Sequence, residues 1–112
     1  MQTCRLLADT LANFGVEREK MVFCALTGLF VDIMGTGAPD KSAKGPKLVA
    51  MRTELDALRM PENNPDLAYR SKTNCAHMCG HDGHMACLMA AASVICANRA
   101  KIPSNKGVRL LL

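Results

Sequence analysis

Residues 75–84 read Cys-Ala-His-Met-Cys-Gly-His-Asp-Gly-His. All three histidines of the 112-residue chain fall here, with two of its six cysteines and an aspartate. Imidazole, thiolate and carboxylate are the side chains that ligate borderline transition metals. Gly80 and Gly83 allow tight turning, so several side chains can converge on one point. Cys79 and His81, two apart, face the same way in an extended or turning segment. His81 and His84, three apart, share a face at the start of a helix. A lone histidine in a polar loop is ordinarily a hydrogen-bonding residue and nothing more. Three histidines and two cysteines this close favour metal binding or catalysis.

Such a cluster needs a scaffold, and the flanking pattern supplies one. Lys47 to Leu55 reads as a strand, with Leu48, Val49, Ala50 and Met51 apolar, and it runs into Arg52-Thr53-Glu54-Leu55-Asp56. Residues 59–76 carry two prolines, three asparagines and many charges. They form a long irregular connection, of a length more often functional than accidental. A helix is expected from Asp82, whose carboxylate can cap it, to about Ala100. Met85, Leu88, Met89, Ala92, Ile95 and Cys96 form one stripe, while Ala86, Cys87, Ala90, Ala91, Val94 and Ala97 make the opposite side apolar too. A helix apolar all round is expected to be buried all round. Val108 to Leu112 starts another strand. Strand, helix and strand make a βαβ unit, so the two strands should be parallel neighbours. Sites in such sheets form beyond the carboxyl ends of the strands. Glu54 and Asp56 lie at that end, and the Cys/His loop enters its helix at the same edge. A metal pocket there follows from pattern alone.

The rest of the chain is supporting structure. Residues 3–14 place Cys4, Leu7, Ala8, Leu11 and Phe14 at helical spacing, and Gly15 is a natural stop. Met21–Leu26 and Leu29–Met34 read as a hairpin turning at Thr27-Gly28. The Gly- and Pro-rich loop 35–46 holds Gly35-Thr36-Gly37, without the third glycine and following helix of a dinucleotide site. The length suits one domain, and 49% hydrophobic with 21% charged residues indicates a folded chain. With 4% aromatics and eight methionines the core is aliphatic and Met-filled. The net charge of +4 is scattered, which argues against a nucleic-acid partner. Asp9, Glu17 and Glu19 are foreign to a secretory signal, and the apolar run Met85–Ala97 is too short for a membrane span. Irregularly spaced cysteines without a signal suggest reduced thiols and a cytoplasmic location, with Cys4, Cys24, Cys87 and Cys96 as small core residues.

Met-Arg-Thr-Glu-Leu-Asp-Ala-Leu at 51–58, followed by Ala-His-Met-Cys-Gly-His-Asp-Gly-His-Met-Ala at 76–86, closely resembles the metal-dependent amidohydrolases and zinc exopeptidases related to aminoacylases. The match is to the branch of hippurate hydrolases, auxin-conjugate (IAA-amino acid) hydrolases and N-acyl amino acid deacetylases. It covers nearly the whole chain, more weakly before residue 46. The resemblance implies a partial zinc-peptidase-like three-layer α/β fold, with a mixed sheet and one βαβ crossover. It implies two divalent metal ions in the complete enzyme, zinc or manganese, with cobalt as a further candidate. Cys79 and His81 match its metal-binding positions. The acidic residue matching Asp56 orients the metal site and is the catalytic position carried over. His77 and His84 stay open between supporting hydrogen-bond donors and structural residues, and Asp82 between helix cap and support for a ligand. Glu54 stands where aspartate is usual, and Arg59 where proline is.

The family's catalytic glutamate lies in a Gln-Pro-Ala-Glu-Glu segment just after the strand that begins here at Val108. That segment, the later glutamate and histidine ligands, a His-Pro-Glu segment near the start and the dimerising second domain are not within residues 1–112. The expectation is that residues 1–112 are the N-terminal part of a catalytic domain and are inactive alone. The complete enzyme would be a homodimer acting on small N-acyl amino acids or related conjugates, with no nucleic-acid or membrane partner. Two alternatives remain: a structural zinc module closed by Cys75, Cys79, His81 and His84, and an inactive family remnant acting through a partner chain.

Overall fold

The computed structural model describes residues 2–112. Helix α1 spans Gln2–Asn13, and its buried residues are Cys4, Leu7, Ala8 and Leu11, the three- and four-residue spacing that makes one face of a helix. Strands β1 (Val22–Cys24) and β2 (Gly28–Met34) form the antiparallel hairpin, with Val22 opposite Phe30 and Cys24 opposite Gly28. β1 is shorter than its apolar run because Ala25 and Leu26 take left-handed backbone angles (φ 48° and 65°) to make the turn. Along β2 the side chains alternate: Leu29, Val31 and Ile33 are buried, and Phe30, Asp32 and Met34 are half-buried on the other face.

Strand β3 (Lys47–Arg52), helix α2 (His81–Ala97) and strand β4 (Lys106–Leu111) complete the fold. The sheet order is β1-β2-β4-β3. β4 runs antiparallel to β2 and parallel to β3, so β3, α2 and β4 are the expected crossover unit. Both helices cover the same sheet face. One continuous core results, in which Leu11, Leu29, Val31 and Leu110 are fully buried and α2 contributes Met85, Leu88, Met89 and Ala92. The described residues thus build two layers, helices on a mixed sheet. The second sheet face carries Arg109, which donates two hydrogen bonds of 2.7 Å to Asp32, its direct neighbour across β2 and β4, and lies over the Phe30 ring. That guanidinium holds the Asp32 carboxyl below the usual carboxylate range. Among the described residues no helix is long and apolar enough to cross a membrane.

Several local expectations are corrected. α2 is buried along one stripe only: Cys87 and Ala90 are exposed, and Val94 is 62% exposed, because only α1 and the sheet lie against it. Cys24 and Cys87 are exposed rather than core residues, whereas Cys4 is buried and Cys96 partly so. α2 ends at Ala97 and continues as a separate 3₁₀ turn, Arg99–Lys101. It begins at His81, preceded by Gly80 with φ 99° and no side-chain cap. Asp82 therefore does not cap the helix. It stands in the first turn, where a carboxylate still complements the helix dipole. Gly35 and Gly37 serve backbone packing: a Cβ on Gly37 would lie 2.6 Å from the Ala100 carbonyl oxygen, and one on Gly35 would strike the Ile102 carbonyl. The close approach lets the Thr36 and Gly37 N–H groups donate to the Arg99 and Ile102 carbonyls, each at 2.9 Å.

Candidate metal centre

At its carboxyl end β3 stays tied to the sheet for one residue more: buried Thr53 donates its N–H to the Leu111 carbonyl at 3.0 Å. Glu54 and Asp56 follow, two apart, as the chain leaves the sheet. Leu58 and Ala76 then exchange both backbone hydrogen bonds, each 3.0 Å, and Ala76 is buried. This clamp pinches residues 59–75 off as an outlying loop and returns Cys75–Gly80 to the end of β3. The left-handed backbone of Gly80 then turns the chain into α2.

The first turn of α2 meets the two acids. His81 Nδ1 lies 2.9 Å from Asp56 Oδ1 and 3.3 Å from the Asp56 carbonyl oxygen. An ionised carboxylate and a carbonyl can only accept, so Nδ1 carries the proton and donates. In the neutral ring Nε2 then keeps its lone pair. Metal-ligating histidines are ordinarily held in this way, one nitrogen donating to a carboxylate and the other presented to the ion. One turn on, His84 Nδ1 donates to Glu54 Oε2 at 3.1 Å, while Glu54 Oε1 accepts from Arg52 at 2.7 Å. The bond from His84 is the main cause that holds the Glu54 carboxyl below its usual range. The two imidazole rings stand 5.8 Å apart between centroids, tilted by 30°. His81 is the more enclosed, its side chain 22% exposed against 62% for His84.

Cys75 and Cys79 are exposed. Asp82 is exposed in the first turn of α2. His77 has a buried Nδ1 with no hydrogen-bond partner among the described residues. The structure thus joins His81 to Asp56 and His84 to Glu54. It does not gather Cys79 with them: among the described residues no three His, Cys, Asp or Glu side chains converge on one ion-sized point. The donor chemistry nonetheless fits a divalent ion, with two imidazoles whose Nδ1 atoms are committed to carboxylates and whose Nε2 atoms keep their lone pairs. A cleft of about 380 Å³ opens beside the acids, lined by Cys24, Thr27, Arg52, Glu54, Asp56 and Leu112 among others.

Sequence reasoning missed Arg52 and the Glu54–His84 pairing. One signal was available: two acids at strand spacing and two histidines at helical spacing, meeting at one sheet edge, can pair two by two. The Leu58–Ala76 clamp has no such signal.

Residues 50–112 match peptidase family M20/M25/M40. Thermostable carboxypeptidase 1 of Saccharolobus solfataricus is 38% identical over 110 residues, which cover 97% of this chain and 25% of that protein. The hippurate hydrolase of Campylobacter jejuni is 35% identical over 94 residues, 83% of this chain and 22% of that protein. Among solved structures, the Bacillus subtilis YXEP protein, a dinuclear metal binding peptidase of the M20 family, aligns with a TM-score of 0.75 at 27% identity, over 99% of this chain and 28% of that one. The chain spans about a quarter of the length of these relatives.

Proposed function

The chain belongs to peptidase family M20/M25/M40, and from that premise we propose that it is the N-terminal part of a catalytic domain that hydrolyses the amide bond of N-acyl amino acids or related conjugates. The observation that carries the reading is the 2.9 Å bond from His81 Nδ1 to Asp56. It orients the His81 ring and leaves Nε2 free to ligate a divalent ion, zinc or manganese, with cobalt as a further candidate. Cys79 supplies a thiolate from the turn that leads into α2. His81 and Cys79 would hold divalent ions at this edge, and such ions would supply Lewis-acid chemistry, polarisation of an amide carbonyl and a lowered pKa for a bound water. Glu54 is a poor choice for the base that takes the water's proton, because its carboxylate is held by both Arg52 and His84. The resemblance to the aminoacylase-related amidohydrolases implies instead a base in the Gln-Pro-Ala-Glu-Glu segment that follows the strand beginning at Val108 in that family, a glutamate that would take the water's proton and pass it to the leaving amine. The cleft beside Glu54 and Asp56 has the size of a small-molecule site. A cytoplasmic location and a homodimeric complete enzyme belong to the same reading.

The test starts from chain stripped of metal with a chelator. Zn²⁺ and Mn²⁺ binding is measured by calorimetry for the wild type, Cys79→Ser and His81→Ala, and hydrolysis of several N-acyl amino acids is assayed beside it. Both variants should bind at least about tenfold more weakly, and residues 1–112 alone should show little or no turnover. Unchanged affinity in both variants would remove the metal site. Substantial metal-dependent turnover that vanishes in Cys79→Ser would show that this chain supplies its own base and would end the partial-domain reading.

A further inference from the structure

We propose that Glu54 is a positioning residue that, through the His84 Nδ1–H, fixes His84 as a second open nitrogen donor beside His81, so that this edge holds a divalent cation between two imidazoles. The inference rests on the metal reading above and adds a ligand to it. Four observations carry it. His84 sits one helical turn from His81, on the same face of α2. Its Nδ1 is committed to the Glu54 carboxylate, which can only accept, so Nε2 keeps its lone pair. Glu54 is itself fixed from the other side by Arg52 at 2.7 Å, so the carboxylate cannot swing away without losing that bond. Finally, the rings are close enough to share an ion. An ion bound at about 2.0–2.1 Å from a ring nitrogen sits roughly 3 Å from the ring centre, so two rings sharing it lie at most about 6 Å apart. The observed separation is 5.8 Å.

The two carboxylate–imidazole pairs form a ladder. Asp56 and Glu54 are the rungs' acidic ends on the strand exit, and His81 and His84 the basic ends on the helix. Arg52 gives the Glu54 rung a support that the Asp56 rung does not share, since Asp56 has no arginine partner among the described residues. The exposure of His84 leaves its Nε2 accessible to an arriving ion.

The test uses ¹⁵N-histidine-labelled full chain and Zn²⁺ alone, followed by long-range ¹H–¹⁵N NMR, which separates protonated from bare ring nitrogens. The wild type should show His84 with a protonated Nδ1 and a bare Nε2, and Zn²⁺ should shift Nε2 of His81 and His84 together at one equivalent. Glu54→Gln should weaken Zn²⁺ binding by about tenfold or more and free the His84 tautomer. Glu54→Asp, whose shorter side chain keeps the acceptor, should restore part of both. His84→Ala should weaken binding as much as Glu54→Gln, and the double variant no further, since Glu54 acts only through His84. A His84 ring protonated on Nε2 before metal is added would overturn the proposal. A Zn²⁺ response confined to His81 would overturn it while leaving the metal reading intact. No response at either ring would sink both.

Discussion

Replacing Asp56 by Ala removes the carboxylate that holds His81 and leaves the ring itself in place. Two oxygens of residue 56 accept from His81 Nδ1, the carboxylate at 2.9 Å and the backbone carbonyl at 3.3 Å. The variant keeps the weaker, longer one, so the Nδ1–H tautomer survives in part. Loss of such a supporting partner typically costs about 10–100-fold in metal affinity, or about 1.4–2.7 kcal/mol. Asp56 is mostly exposed, which screens its charge, and the carbonyl remains. Both facts put the expected loss at the lower end, about tenfold. Asp56→Asn keeps a neutral acceptor in the same place and should lose less than Asp56→Ala. Zn²⁺ affinity measured by competition with a colorimetric chelator ranks the three proteins, and urea unfolding of the metal-free forms checks that stability is unchanged within about 0.5 kcal/mol, as for other surface sites. Affinities within twofold of wild type for both variants would refute the claim that Asp56 prepares His81 for a metal.

Three further outcomes follow from the fold. Leu110 is fully buried at the centre of the sheet, so Leu110→Ala should lower stability by about 2–5 kcal/mol in urea unfolding; a loss under about 1 kcal/mol would mean that the core is not organised around β4. Gly37→Ala would place a methyl 2.6 Å from the Ala100 carbonyl oxygen and should cost about 1–3 kcal/mol, whereas unchanged stability would show that the 35–37 and 99–103 segments are not in contact. The Asp32 carboxyl is held below its usual range by Arg109, so its contribution is fully present above the unfolded pKa of about 4 and is lost as pH falls through the lower folded value. The stability gap between wild type and Asp32→Asn should therefore shrink on acidification below about pH 4, and a gap that stays constant or widens there would contradict the Asp32–Arg109 pairing.

Much of the molecule was legible in the order of residues because the relevant forces are local. Leu7, Ala8 and Leu11 declare a helix face through spacing alone, and the alternation along Leu29–Met34 declares a strand with one buried side. Cys79, His81 and their neighbours declare a class of chemistry through their donor atoms, whatever the fold. Which donors meet is another matter. His81 and Asp56 are 25 residues apart and His84 and Glu54 are 30 apart. Their meeting depends on the register of β3 against β4 and on the Leu58–Ala76 clamp, whose backbone hydrogen bonds leave no mark on side-chain type. The same limit explains α2. Its composition says that every side can be buried, but burial needs a neighbour, and among the described residues the core takes the stripe of Met85, Leu88, Met89 and Ala92 with Ile95 and Cys96 partly buried beside it, while Cys87, Ala90 and Val94 stay exposed. Gly35 and Gly37 read as loop residues, yet their missing side chains matter because the Ile102 and Ala100 carbonyls lie against them. Sequence periodicity sets what a segment can do by itself, whereas contacts between segments distant along the chain exist only once the chain has closed on itself, and the pairing of acids with histidines is of that second kind.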